Sequence, residues 1–101
     1  MTDVAEALSA VHDPTRREIL DLLRTGERSV RELTDELPVT QSAVSQHLRT
    51  LHDARVVTVR PEGARRLYRI DRDGLAPLRA WVESFWDDVL ESFSAYVEER
   101  S

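Results

Sequence analysis

The sequence predicts a mainly α-helical domain with one small β-hairpin, in the order α-α-α-α-β-β-α. Three observations lead to this prediction. Apolar residues recur at helical spacing along most of the chain, the stretch at residues 55–70 is rich in β-branched residues, and capping residues or prolines separate the helical stretches. The length of 101 residues fits one domain, so we expect residues 1–101 to form a single domain.

Two helices are expected at the N-terminal end of the chain. Asp13 is a suitable N-cap and Pro14 a suitable first helical residue, so a second helix should begin here and end near Arg24. The first helix should cover residues 3–11, where the residues at apolar spacing are Val4, Ala7, Leu8 and Val11.

Two further helices follow on either side of a proline. The segment Ser29-Val-Arg-Glu32 has the pattern of a capping box, which predicts a short third helix over residues 30–37 that Pro38 stops. Thr40 should cap a fourth helix over residues 41–54. Its expected buried stripe consists of Val44, Leu48 and Leu51.

The pattern then changes from helical to alternating. Residues 55–60 are rich in β-branched side chains, residues 61–64 have turn composition, and residues 65–70 alternate, which together predict a hairpin. A long last helix should run from about residue 75 to 98, with Pro77 in or near its first turn. Two short helices followed at once by a hairpin are the parts of a winged helix-turn-helix, a fold that inserts its second short helix into the DNA major groove.

The charge is distributed unevenly along the chain. The formal net charge is −5 at pH 7, which by itself argues against a nucleic-acid partner. The segment from Gln41 to Ile70, however, contains six arginines and only two acidic residues, Asp53 and Glu62, so its local charge is +4 (6 − 2). Phosphate binding requires a local basic surface rather than a basic total. The alternative is an ordinary solvated charged surface.

The fourth helix has the side chains that a base-reading helix needs. Glutamine, serine and arginine can bond base edges or phosphates, and the first amides of a helix favour a phosphate. Exposed helix faces usually carry Glu, Lys and Arg rather than Ser, whereas residues 40–47 contain no acidic residue, which disfavours an ordinary surface helix. The predicted DNA-binding residues of this helix are Thr40, Gln41, Ser42, Ser45, Gln46 and Arg49.

The hairpin is expected to add a second DNA contact. Arg60, Arg65 and Arg66 flank its turn, where they could bind the DNA backbone or enter the minor groove. The alternative is that these charges protect an edge strand from pairing with other chains.

Four motifs in this order resemble the ArsR-type (ArsR/SmtB-like) family of bacterial and archaeal winged-helix repressors, over nearly the whole chain. The resemblance implies a homodimer on a palindromic operator, a recognition helix at residues 41–53, a wing at residues 56–70, and first and last helices that pair across the dimer. It also places His47 in the recognition-helix pattern, with a role against DNA or in packing. The motifs are Asp13-Pro-Thr-Arg-Arg-Glu-Ile-Leu20, Ser29-Val-Arg-Glu-Leu33, Thr40-Gln-Ser-Ala-Val-Ser-Gln-His-Leu-Arg-Thr-Leu51 and Arg66-Leu-Tyr-Arg-Ile-Asp71.

The chain departs from family members that sense metals or thiols. The family's third-helix site uses cysteines, but residues 32–36 read Glu-Leu-Thr-Asp-Glu and the chain has no cysteine. Its terminal-helix site uses histidines, and residues 75–101 contain none. His47 and His52 are five apart, not the four that places two ligands on one helix face. We therefore expect no metal and no cofactor, as in the metal-free branch of this family. Binding of an unidentified small-molecule effector is left as an alternative.

Arg55 is a smaller departure from the family, which commonly has glycine where the recognition helix ends. If this residue adopts a left-handed conformation, arginine costs about 1 kcal/mol relative to glycine. A different turn at this point is the alternative.

The last helix carries more apolar residues than one core-facing stripe requires. A chain this small has little interior for two tryptophans, so we predict a symmetric dimer rather than a monomer core that holds them all. Two recognition helices about 34 Å apart would then read successive half-sites. A small-molecule pocket lined by the same aromatics is a lesser alternative. The predicted interface residues are Val4, Leu8, Val11, Leu78, Trp81, Val82, Phe85, Trp86, Val89 and Phe93.

These observations predict a homodimeric, sequence-specific DNA-binding transcriptional regulator that acts as a repressor. The acidic ends of the chain leave one alternative, a winged-helix module that binds another protein, as an antirepressor does. No motif supplies the convergent acid, base or nucleophile that an enzyme needs. We expect a cytoplasmic protein, because the sequence shows neither a signal peptide nor an apolar run of membrane-spanning length.

Overall fold

The computed structural model describes the backbone of residues 4–100 and the side chains of residues 4–88. It confirms the mainly α-helical fold with a hairpin and adds a short strand before the third helix. In chain order the elements are α1 (Val4–Val11), α2 (Pro14–Leu23), β1 (Arg28–Ser29), α3 (Val30–Glu36), α4 (Gln41–Asp53), β2 (Val57–Glu62), β3 (Arg65–Ile70) and α5 (Arg72–Arg100).

The three predicted helix caps are all present. The Asp13 carboxylate accepts hydrogen bonds from the backbone N–H of Thr15 at 2.8 Å and of Arg16 at 3.1 Å. Ser29 and Glu32 form both bonds of the capping box. Thr40 Oγ1 accepts from the N–H of Ala43 at 3.1 Å. Because each cap satisfies donors that the helix leaves free, the starts of α2, α3 and α4 fall where the sequence predicts them.

The strands form one antiparallel sheet in the order β1-β3-β2. The first strand of the hairpin is shifted by two residues from the predicted 55–60, because Glu62 pairs with Arg65 and only residues 63–64 form the turn. Gly63 has φ +59°, a conformation that glycine adopts without strain. Pro61 was expected in the turn but lies in β2, which is an edge strand of this sheet, and an edge position tolerates the missing N–H.

The last helix starts three residues earlier than expected. Asp71 caps it, since its carboxylate accepts from the N–H of Gly74 at 2.9 Å and its carbonyl accepts from the N–H of Leu75 at 3.0 Å. Pro77 lies inside the helix rather than at its start. No helix in the described part of the chain has the length and apolar character needed to cross a membrane.

The core lies where α4 meets α1, α2, α3 and the sheet. The stripe predicted for α4 is completely buried there, so the opposite side of α4 is left facing outward. The largest fully buried side chains are Ile19, Leu33, Val44, Leu48, Leu51, Val56 and Val57.

Candidate nucleic-acid interface

The outward side of α4 is polar and accessible. A fully buried stripe on one side of a helix leaves the positions between its members pointing away from the core. Thr40 Oγ1 is engaged in the cap, whereas the helix surface beyond it carries only amide, hydroxyl and guanidinium groups in its first turns. The predicted residues that the structure leaves exposed on this side are Gln41, Ser42, Ser45, Gln46 and Arg49.

His47 occupies a different side of α4. It is half-buried, lies next to Leu48 in sequence, and its Nδ1 is 3.3 Å from Nη1 of Arg16 on α2. The structure therefore does not group His47 with the exposed side chains. Arg16 is a contact that sequence analysis missed, because it belongs to another helix 31 positions away.

At the end of α4, Arg55 adopts the left-handed conformation, with φ 60°, which was one of the two alternatives for this position. Its N–H donates to the His52 carbonyl at 3.0 Å, and the N–H of Val56 donates to the Leu51 carbonyl at 2.9 Å. These two bonds make a Schellman motif, in which glycine usually occupies the position of Arg55. The Val56 carbonyl then accepts from the N–H of Asp71 at 2.9 Å, so the motif fixes the base of the hairpin against the end of α4.

Two of the three predicted hairpin arginines already have acidic partners. Arg60 donates from Nε to Glu27 at 3.0 Å and from Nη2 to Glu27 at 2.5 Å. This contact holds the pKa of the Glu27 carboxyl below its usual value and raises the pKa of the Arg60 guanidinium. Arg65 lies 3.4 Å from Glu32 and 3.5 Å from Glu62.

Arg66 differs from both of these arginines. It is exposed, and within the described residues it has no ion-pair partner. A groove joins this part of the hairpin to the start of α4, and Gln41, Arg65, Arg66 and Tyr68 line it together with residues of α3. The structure thus brings Gln41, Arg65 and Arg66 to one surface, while Arg60 is directed to Glu27.

A second surface is apolar and lies on α5. Trp81, Val82, Phe85 and Trp86 are 41–64% exposed, and the rings of Trp81 and Phe85 meet edge to face with centroids 4.8 Å apart. α1 packs against α5 and adds Leu8, which is 39% exposed.

The remaining predicted interface residues are less accessible or fall outside the described side chains. Val4, Val11 and Leu78 are half-buried. Val89 and Phe93 lie beyond residue 88, outside the described side chains.

Comparison with known proteins identifies the family. The sequence model described as "Bacterial regulatory protein, arsR family" matches residues 13–59. The HTH-type transcriptional regulator Rv2034 of Mycobacterium tuberculosis is 44% identical over 91% of this chain and 86% of its own length. The chain belongs to the arsR family of bacterial regulatory proteins. This is a family of transcriptional regulators and not of enzymes.

Two further relatives of this arsR-family protein are informative. The arsenical resistance operon repressor of Staphylococcus xylosus is 33% identical over 73 residues, which cover 72% of this chain and 70% of its own length. A homodimeric winged helix-turn-helix DNA-binding domain from Mycobacterium bovis, solved by NMR, is 35% identical with a TM-score of 0.68. It covers 88% of this chain, which in turn covers 82% of that domain.

The residues of this arsR-family protein do not fit a thiolate metal site. Soft metals and arsenicals are bound by cysteine sulfur, and the chain has no cysteine. Among the described residues, no group of three or more His, Cys, Asp or Glu side chains is arranged to hold a metal ion.

Proposed function

We propose that the protein is a homodimeric transcriptional repressor that binds a palindromic operator through α4 and the hairpin wing, residues 56–70. The observation that carries this proposal is the outward side of α4, which is exposed, polar and free of carboxylates from Gln41 to Arg49. A helix of this kind fits the major groove with its N-terminal residues toward the bases. The proteins named as a repressor and as a DNA-binding domain among the relatives support it.

The proposed DNA contact of each residue follows from the chemistry of its side chain. Gln41, Gln46 and Arg49 would bond base edges, because glutamine suits adenine and arginine suits guanine. Thr40, Ser42 and Ser45 would bond phosphates or bases near the start of the helix. Arg66 would bind the DNA backbone from the wing, since its guanidinium has no acidic partner among the described residues.

The apolar α1–α5 surface is the proposed dimer interface. Contiguous exposed apolar side chains of this size commonly mark an interaction surface, and a two-fold dimer is the commonest way to cover one. Val89 and Phe93 would extend the same interface along α5. The chain would then be one DNA-binding domain with dimerisation helices at both ends, acting in the cytoplasm where bacterial operators are found.

A mobility-shift assay on the DNA upstream of the protein's own gene tests the proposal. Arg49→Ala and Arg66→Ala should each weaken binding about tenfold, as the loss of one specific or phosphate contact does. Arg24→Ala is the matched control, because Arg24 is an exposed arginine on α2 whose partner is Asp21. Equal binding by all four proteins would contradict the assignment. Absence of any shift at moderate salt, with a stable complex to another protein instead, would contradict DNA binding itself.

A further inference from the structure

The guanidinium of Arg16 joins three elements of the fold. Its Nε donates to the carbonyl of Ala10 at 2.5 Å, its Nη2 donates to the carbonyl of Ser9 at 3.4 Å, and its Nη1 lies 3.3 Å from Nδ1 of His47. Ser9 and Ala10 belong to the last turn of α1, where carbonyls lack donors within the helix, and the Ser9 carbonyl also accepts from the N–H of His12 at 3.3 Å. The backbone N–H of Arg16 donates to the Asp13 carboxylate, so the backbone that carries this side chain is held in place at the start of α2.

The contact with Arg16 specifies the state of His47. A guanidinium can only donate hydrogen bonds, so Nδ1 of His47 must be the acceptor. The imidazole in this contact is therefore neutral, with its proton on Nε2. Because His47 is half-buried beside the core stripe and not on the exposed side of α4, its structural role is to tie α4 to Arg16.

We propose that Arg16 is a positioning residue for DNA recognition, which holds α4 against the C-terminal end of α1 through the neutral imidazole of His47. This inference rests on the proposed function, in which α4 reads the operator and α1 belongs to the dimer surface. The link gives the recognition helix a defined orientation relative to the helix that would meet the partner protomer. Half-site spacing depends on that orientation.

The charged groups beside His47 are Arg16 and Asp13, and the Asp13 carboxylate is engaged with the N–H groups of Thr15 and Arg16.

The other polar groups near this contact lie on α1 and α4. On α1 the groups at this point are the carbonyls of Ser9 and Ala10. Glu6 and Asp53 line the α1–α4 contact further along.

The first test needs no DNA. Nitrogen NMR of the histidine ring in the free protein should report an unprotonated Nδ1 and a protonated Nε2 for His47 at neutral pH, and Arg16→Ala should change this tautomer signature. Arg17→Ala is the matched control, an exposed arginine one position along α2 that lines a different surface. An identical His47 signature in the wild type and Arg16→Ala would overturn the link, whether or not the protein binds DNA.

The second test uses a DNA fragment that the wild type binds. Arg16→Ala and His47→Leu should each lower affinity about tenfold, and the double variant should be no weaker than either, since both break one link. His47→Gln keeps an acceptor and should lose less affinity than His47→Leu. Additive losses in the double variant would overturn the proposal.

Salt dependence separates positioning from direct DNA contact. A side chain that neutralises a phosphate contributes about 0.9 to the slope of log affinity against log salt concentration. Arg16→Ala should therefore lower affinity with an unchanged slope, and a slope reduced by about 0.9 would show that Arg16 binds phosphate itself and overturn the positioning role. A wild type that binds no DNA would contradict the proposed function, while the NMR measurement would still decide whether the link exists.

Discussion

Gly74 lies directly against the backbone of Arg55. A Cβ at position 74 would overlap the Arg55 carbonyl oxygen and lie 2.9 Å from both its carbonyl carbon and its Cβ. The first turn of α5 therefore packs on the left-handed residue that ends α4. Together with the hydrogen bond from the N–H of Asp71 to the Val56 carbonyl, this contact fixes α5 relative to α4, and the proposed dimer helix relative to the proposed reading helix.

Gly74→Ala should destabilise the fold. Alanine in an open helical position is more favourable than glycine by about 0.5–1 kcal/mol, but here the added methyl group meets backbone that cannot move without disturbing the Schellman motif. We expect a net loss of about 1–3 kcal/mol in the free energy of unfolding, as for other overpacked sites. Urea denaturation measures it, with the exposed Ala76→Ser as control. Equal or greater stability than the wild type would show that the two helix ends can separate at little cost.

Arg55→Gly should stabilise the protein. Arg55 has φ 60°, and a non-glycine residue in this region costs about 1 kcal/mol. Removing the side chain relieves this strain, so the free energy of unfolding should rise by about 1 kcal/mol. Arg55→Ala is the control, because alanine loses the arginine side chain but keeps the Cβ and its strain. A gain in Arg55→Ala equal to that in Arg55→Gly would assign the effect to the arginine side chain instead.

Acid should weaken the fold through three carboxyl groups. The pKa of Asp13 is lowered mainly by the backbone N–H of Arg16, that of Glu32 by the backbone N–H of Ser29, and that of Glu27 by the Arg60 guanidinium. Each group binds a proton less readily when folded than when unfolded. Its stabilising contribution is therefore complete above its ordinary value, 3.8 for Asp or 4.5 for Glu, and is lost as the pH falls through the lower folded value.

Thermal melting between neutral pH and about pH 3 measures this loss. Asp13→Asn keeps a capping oxygen but cannot titrate, so its melting temperature should fall less steeply in this range than that of the wild type. Glu18→Gln, a change at an exposed carboxyl on α2 that caps no helix, is the control and should follow the wild-type curve. Matching slopes for Asp13→Asn and the wild type would exclude Asp13 as a source of acid sensitivity.

The sequence was sufficient for features that depend on neighbouring residues. The caps at Asp13, Ser29 and Thr40 and the buried stripe of α4 follow from local patterns, and the structure has them where they were expected. The left-handed conformation of Arg55 was foreseen as one of two alternatives, through the family's glycine at that position.

Features that join distant parts of the chain could not be predicted. Strand β1 has two residues, too few for an alternating pattern, and exists because Arg28 and Ser29 pair with Tyr68 and Leu67. The contacts of Arg16 with His47 and of Arg60 with Glu27 each span more than 30 residues. Their formation depends on how the helices and sheet pack, which no local spacing records.

Glu27→Gln should increase affinity for DNA. Glu27 binds Arg60 through a bidentate salt bridge, which neutralises one positive charge of the wing. Removing the carboxylate leaves that guanidinium with the weaker 4.0 Å contact to Glu62 and makes it more available to phosphate. The slope of log affinity against log salt concentration should therefore steepen by up to about 0.9. Glu83→Gln is the matched control, because Glu83 also binds an arginine, Arg79, but lies on α5. Equal changes in the two variants would mean that only net charge matters and that Arg60 does not reach DNA.

Trp86→Glu should convert the proposed dimer into monomers. Among the described side chains of α5, Trp86 is the most exposed large apolar one, at 64%. A carboxylate placed in a buried apolar interface lacks any partner to offset its desolvation. Sedimentation equilibrium at micromolar concentration should report one mass for the wild type and half that mass for the variant. Ala80→Glu is the control, because the 3.6-residue period places residue 80 opposite the centre of the patch formed by Trp81, Val82, Phe85 and Trp86. The monomeric variant should also lose operator binding, since two recognition helices must bind together to read both half-sites. A dimeric Trp86→Glu would move the interface away from this surface.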